Sequence, residues 1–431
     1  MSDIGQAARF AARLYRGRAT IGYAGYVRRD PMALLQLRPG HADPYPIYER
    51  IRERGTLVPT RLGNWMTASH RVCDSVLRNR RLGVRPEGGS APSEAEGFDL
   101  SFLEMNPPDH TRLRRLALPA FSPKAGASYR DRVESTVGGL LDRAAAAGRF
   151  DLMPQFAAPL PIAVITDLLG VPDADCGEFA RYGAAVGSAL DGIKSLRHAR
   201  VLMANGIRLQ RLFEELFELR RREPADDIIS RLVAAGEDQI RPDEMLPVCG
   251  LLLVAGFETT VNLIGNSVLA LMRHPAQWRD LCADPVALAP RVVEETLRFD
   301  PPVQFTGRVA FDDMRIEGRE VRKGQTVLTL IGGANRDPEV YGEPGRFDIH
   351  REPAAEHLAF SSGIHYCLGQ PLARLEATIA LRMLAERMPG LSLAGPVRRR
   401  RTTLIRGPLR LPVAAGRVRA APGRQAAARL G

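Results

Sequence analysis

The ten residues Phe360-Ser361-Ser362-Gly363-Ile364-His365-Tyr366-Cys367-Leu368-Gly369 set the tightest limit on how this chain folds. They place one cysteine on a loop bracketed by Gly363 and Gly369. Gln370-Pro371-Leu372-Ala373-Arg374-Leu375-Glu376 follows at once, where Leu372, Leu375 and Ile379 keep the spacing of a buried helix stripe. A thiol at a helix N-terminus meets unpaired backbone N–H groups and the positive end of the helix dipole, and both favour a thiolate. Glycines beside it let the loop approach a flat surface closely, because no Cβ intervenes. Any fold for this chain has to be built around that loop.

The other cysteines, Cys73, Cys176, Cys249 and Cys282, are scattered without a C-x-x-C pair and read as small buried hydrophobes. That usage argues for a reducing compartment and against a disulfide scaffold. The first residues contain no apolar core of a secretory leader, and the longest apolar run, residues 251–257, is too short to span a bilayer. These features predict a cytoplasmic protein without a transmembrane segment.

The formal charge of +11 is confined to the ends. Residues 397–431 hold ten arginines and no acid, residues 1–30 carry a net +4, and the stretch between them is slightly acidic. A surplus placed this way is not the broad basic stripe of a nucleic-acid-binding fold, which excludes that class of partner. The first thirty residues, with Arg9, Phe10, Arg13, Leu14 and Tyr15, have the pattern of a basic amphipathic helix capable of weak peripheral contact with anionic lipid. A solvated arm folded against the body is the plainer expectation.

Helical periodicity dominates from Pro44 onward. One helix starts at Pro46, another is predicted over residues 128–147, and a third over 201–222 with Leu209, Leu212, Phe213, Leu216 and Leu219 on one face. Strand-like segments are few: 57–60, 64–67, 305–309 and 325–330. Residues 85–97 read as a loop and 417–431, rich in Arg, Ala and Gly, as a disordered tail. The expectation is a mainly α chain with a small β part: a basic extension over 1–40, a single domain over 41–416, and the tail.

Three further constellations carry chemistry. Glu295-Thr296-Leu297-Arg298 puts an acid and a base three apart on one helix face, within salt-bridge reach. Leu253-Val254-Ala255-Gly256-Phe257-Glu258-Thr259-Thr260 sets a carboxylate and a hydroxyl inside an apolar helix, a cost unless they serve something. Pro247 lies just upstream and predicts a late start or a kink in that helix. Asn106-Pro107-Pro108-Asp109-His110-Thr111-Arg112-Leu113-Arg114 opens a helix with His110 and Arg114 on one face.

Together, in this order, these segments resemble the cytochromes P450. The family's haem-ligand signature is F-G-x-G-x-H-x-C-x-G. This chain keeps Phe360, Gly363, His365, Cys367 and Gly369, and departs from it at Ser361. The resemblance covers residues 40–415 and implies the cytochrome P450 fold, a helical prism around a buried haem b with a minor β-rich lobe. It implies Cys367 as the iron ligand, and Ala255 and Gly256 beside the oxygen site. Glu258 and Thr259 match its acid–alcohol proton relay. It further implies His110, Arg114, Arg308 and His365 as the clamp on the haem propionates, and a buried ion network of Glu295, Arg298 and Arg346, the last from Pro344-Gly345-Arg346-Phe347.

The activity implied is a monooxygenase that inserts one atom of O2 into an apolar small molecule. Leu252, Ala255, Thr259, Val303 and Phe305 are nominated for its pocket, with the segments 85–105 and 184–195. No G-x-G-x-x-G fingerprint and no cluster of cysteines provides an internal electron source. The resemblance therefore implies NAD(P)H electrons delivered by a ferredoxin and its reductase, docking near Arg112, Arg115, Lys124 and Arg374. A peroxide-driven oxidase and a non-catalytic haem sensor are the alternatives. Relatives of the first kind lack the acid–alcohol pair, and the second predicts that pair to be missing or a signalling domain to be fused.

Overall fold

The computed structural model describes residues 2–89, 99–172, 176–188, 192–193, 195–352 and 356–419. The tail expected from residue 417 lies outside them beyond Arg419, and that residue is still tied to the body by its N–H to Arg387 O.

Helices build most of the body. The central one, Pro242–Arg273, begins with Pro at its first turn, and the Glu244 carboxylate accepts from the Arg241 N–H, 2.8 Å away. It runs through Pro247 without a break, against the expectation of a late start. Pro247 is in the second turn, so its missing N–H removes one bond near an end, while Leu251 to Leu271 are packed almost throughout. Its length and apolarity would suit a membrane span, but 78% of its apolar window is buried in the protein, which makes it a core helix. Pro159–Leu169, Cys176–Gly187, Gln370–Arg387 and Pro285–Phe299 all pack against it.

The predicted 128–147 helix starts earlier, at Pro123, and the 201–222 helix begins at Leu196, where the Ser195 hydroxyl accepts from His198 N–H at 3.0 Å. Pro159–Leu169 ends at Gly170, whose φ of +77° and closeness to Asp227 exclude any side chain.

The β part is a five-stranded sheet in the order Val58–Pro59, Trp65–Thr67, Thr326–Thr329, Thr306–Ala310, Leu82–Gly83. Trp65–Thr67 pairs in parallel with Thr326–Thr329. The hairpin Met314–Ile316/Arg319–Val321 and the C-terminal strands from Ser392 to Ala414, each two or three residues long, escaped prediction. The body begins earlier than residue 41. Leu35 joins Tyr45, Ile47, Tyr48, Met66 and Leu330 in a second core, and Asp30 is buried.

The ion network differs in one member from what the resemblance implies. Arg298 donates from Nε and Nη2 to both oxygens of Glu295, each at 2.7 Å, and to the carbonyls of Asn335, Pro344 and Arg346. The Arg346 side chain instead points outward to Glu343, at 3.0 Å. Its place beside Glu295 is taken by Arg351, 3.4 Å away. Only the backbone of residue 346 faces inward, because the Pro344-Gly345 turn directs its carbonyl to Arg298.

A second buried acid has no such partner. Glu376 on Gln370–Arg387 is enclosed, its Oε2 finds no hydrogen bond, and burial pushes the carboxyl up to about 8 from an ordinary 4.5. Between those values the folded chain holds a proton that the unfolded chain has lost, so this carboxyl makes stability fall as pH rises from about 4.5 to about 8. Glu376→Gln is expected to flatten that slope and to gain roughly 1–3 kcal/mol over the parent at pH 8, with little difference at pH 4.5. Denaturant unfolding at the two pH values measures it, and parallel profiles for the two proteins would remove the carboxyl as the cause.

Candidate active site

Cys367 sits between the turn Gly363–His365 and the start of Gln370–Arg387, its N–H bonded to Phe360 O at 2.9 Å. Burial raises its thiol above the ordinary range, while the N–H groups of Gly369 and Gln370 and the charges of Arg114 and Arg374 pull it down. The helix N-terminus acts as the spacing predicts, but burial outweighs it. Full ionisation is left to a cation bound at the sulfur.

The two glycines of the loop serve different ends. Gly363 has φ +70°, and a Cβ there would lie 2.6 Å from Leu77 O, so it is required by the neighbouring helix His70–Arg78. Gly369 would meet only Phe121 at an ordinary 3.7 Å. Ser361, where the signature has glycine, holds φ +64° and ψ −162°, a region essentially reserved for glycine, and its buried Oγ has no partner. Ser361→Gly is therefore expected to stabilise the protein by about 1–3 kcal/mol, read as a raised midpoint in denaturant unfolding. A lowered midpoint would mean that the hydroxyl contributes something the loop needs.

The structure brings His110, Arg114, Arg308 and His365 together from three separate elements: the helix Asp109–Ala117, the strand Thr306–Ala310 and the turn Gly363–His365. The rings of His110 and His365 are 4.2 Å apart between centroids. Arg114 donates to Tyr366 O at 2.6 Å, and Arg308 to Gly307 O at 2.9 Å. Both nitrogens of His110 are buried without a partner. Burial, reinforced by the neighbouring cations, lowers His110 to about 4 and His365 to about 2; burial alone lowers Arg308 to about 10. The two guanidiniums are thus enclosed beside two neutral imidazoles, and among the described residues no carboxylate pairs with any of the four. A ligand carrying carboxylates relieves that energy by pairing with the guanidiniums and by accepting from the imidazoles. With a sulfur facing the same interior, the donor set fits haem: propionates on the basic cluster, iron on Cys367.

On the central helix, Ala255 is exposed and Gly256 and Thr259 are partly so, although their neighbours are buried. This break in burial lies one turn deep on one helix face and marks an interior space. Thr259 Oγ1 donates to Ala255 O at 2.8 Å. Glu258 is buried and held by both terminal nitrogens of Arg400, one of them at 3.1 Å. Arg400 had no signal in the sequence beyond its membership of a run of arginines. Of the nominated pocket residues, Val303 bridges to Ile405, Phe305 packs against the second core, and Leu252 is taken up by the main core. Parts of the nominated segments 85–105 and 184–195 lie outside the described residues.

The docking arginines are less available than their sequence positions suggest. Arg112 grips Glu244 with two nitrogens, at 2.9 and 2.7 Å, and Asp109 at 2.8 Å, so it fastens its helix to the central one. Arg374 is paired with Glu294 at 2.7 Å and stacked over Phe360, whose ring centre is 4.5 Å away. Arg115 is exposed, and the side chain of Lys124 lies outside the described residues. Ile364 and Leu118, about half exposed, add apolar surface near the cysteine loop and beside Arg115.

Comparison with known proteins places this geometry. The family model Cytochrome P450 matches residues 282–387. The cytochrome P450 monooxygenase PikC of Streptomyces venezuelae is 40% identical over 82% of this chain and 85% of its own. Ligand-free CYP164A2 of Mycobacterium smegmatis superposes with a TM-score of 0.81 at 41% identity, over 89% of this chain and 99% of that one. P450BioI, solved with an acyl carrier protein ligated to hexadec-9Z-enoic acid, gives a TM-score of 0.81 at 36% identity, over 87% and 99% of the two chains.

Proposed function

Because the chain belongs to the cytochrome P450 family and is a haem-thiolate monooxygenase, we propose that it oxidises an apolar small molecule in the cytoplasm with NAD(P)H electrons passed singly through a reductase and a ferredoxin. When bound, the haem supplies the activation of O2 and the insertion of one oxygen atom. The chain's residues supply the rest. Cys367 would hold the iron, and Arg114 and Arg308 would hold the propionates. His110 and His365, neutral at pH 7, would direct N–H groups to the same carboxylates.

The observation that carries the relay is the gap in burial at Ala255, Gly256 and Thr259 beside the enclosed Glu258. With its hydrogen committed to Ala255 O, the Thr259 oxygen is left to accept a hydrogen bond from the interior. Glu258 is the adjacent proton source, and it turns inward only by releasing Arg400. The apolar lining of this helix face suits an apolar substrate, in keeping with the fatty acid named in the P450BioI complex. Arg115, with Ile364 and Leu118, offers a basic and apolar surface on the cysteine side for an acidic ferredoxin.

Thr259→Ala tests the relay. Reconstituted with ferredoxin, reductase and NAD(P)H, the variant is expected to keep consuming NAD(P)H while releasing peroxide. Product should fall about 10²-fold, the lower end of what a positioned proton-transfer group contributes. Product formation in step with NAD(P)H consumption would take Thr259 out of the relay.

A further inference from the structure

The N-terminal helix Ser2–Gly22 and the turn Tyr23–Val27 form a surface that the oxidation chemistry does not use. Between Phe10 and Gly22 no side chain of the helix is buried. Phe10, Ala11, Leu14 and Ile21 are half-buried along one side, and Arg13, Tyr15, Arg16 and Arg18 stand exposed. In the turn, Tyr23, Tyr26 and Val27 are 56%, 59% and 64% exposed, with Arg28 and Arg29 in solvent beside them. The neighbouring acid, Asp30, adds no surface charge: it is buried, accepting from Ala33 N–H at 3.0 Å and Arg61 N–H at 2.8 Å. The helix is held chiefly at its C-terminal end, where it packs on the turn and on Pro31–Leu35.

Exposed tyrosines interleaved with arginines match one environment better than others. A phenol ring is apolar in its body and wet at its tip, which suits the headgroup layer of a bilayer, and guanidinium forks pair with phosphates. A specific protein partner would be expected to meet a patch of mixed sign that sets its register, and among the described side chains from Phe10 to Arg29 the exposed charges are of one sign. We propose that this segment lies on an anionic lipid surface, with Tyr15, Tyr23 and Tyr26 at headgroup depth and Arg13, Arg16, Arg28 and Arg29 on lipid phosphates.

Co-sedimentation of the full-length holoprotein with phosphatidylglycerol–phosphatidylcholine vesicles, and with phosphatidylcholine alone, tests the proposal without reference to turnover. Binding is expected to the anionic vesicles only, and to be lost as salt rises. A triple variant, Arg13→Glu, Arg16→Glu and Arg28→Glu, should weaken it by about 10²-fold, given the contribution of each basic residue near such a surface. Tyr15→Ser, Tyr23→Ser and Tyr26→Ser together should weaken it while keeping the salt dependence. Arg200→Glu with Arg208→Glu, on the exposed and equally basic start of Leu196–Arg222, is the control and should bind as the parent does. An unchanged haem spectrum and circular dichroism verify the fold of each variant. Failure of the parent to bind anionic vesicles, or loss of binding in the control but not in the N-terminal variants, overturns the proposal.

Discussion

Cys367→Ser is expected to give a protein whose reduced carbon-monoxide complex lacks the thiolate-type Soret band, and whose ferredoxin-driven turnover falls by at least roughly 10³-fold. The loop should survive the change. Its closure depends on the residue 367 N–H to Phe360 O and on Gly363 against Leu77, and neither involves the sulfur. A hydroxyl at this position is a far weaker acid than a thiol. The enclosure that already raises the thiol would hold a serine neutral, so the electron-rich ligand is lost while the cradle remains. Unfolding midpoints close to the parent's, together with the spectral loss, would place the effect on the ligand. A retained thiolate spectrum would move the ligand to another cysteine, and Cys73 and Cys249 are too deeply buried for that without rearrangement.

The largest effect on stability is expected from Arg298→Ala. The change leaves Glu295 enclosed with only the Asp348 N–H at 2.8 Å and Arg351, strips the carbonyls of Asn335 and Pro344 of the Arg298 donor, and leaves Arg346 O to Arg351 at 3.1 Å. Breaking a buried pair from one side costs about 3–5 kcal/mol, because the surviving charge stays out of water. Most of a typical domain's margin would go, with poor haem retention as the visible sign. Arg346→Ala supplies the contrast. Its side chain is 58% exposed and pairs at the surface, so it should cost no more than about 1 kcal/mol. Urea unfolding of both variants measures the difference, and equal losses would return Arg346 to the network that its sequence position suggests.

Much of this was legible in the chain. Phe360 to Gly369 is local: its residues are close in sequence and their geometry follows from two glycines and a helix start. Glu295 and Arg298 share a helix face by spacing alone, and Glu258 and Thr259 follow from the cost of polar groups in an apolar helix. The long helices were visible because periodicity accumulates over many residues, whereas strands of two or three residues leave little pattern: Val58–Pro59 and Trp65–Thr67 were read, and Met314–Ile316 and Arg319–Val321 were not.

What the tertiary structure alone decided concerns pairings across large sequence distances. Arg351 rather than Arg346 faces Glu295, and Arg400, 142 residues away, holds Glu258. Arg112 and Arg374, which read as free docking charges, are engaged by Glu244 and Glu294. A charged side chain's partner is set by where two elements meet, and each arginine reaches far enough to satisfy several acids. The amino-acid pattern therefore determined which chemistry this protein carries and the loop that anchors it, because those rest on neighbours in the chain. Which charges are spoken for, and which remain to meet a ligand, a redox partner or a lipid surface, was settled by packing, because burial and distance are properties of the assembled fold.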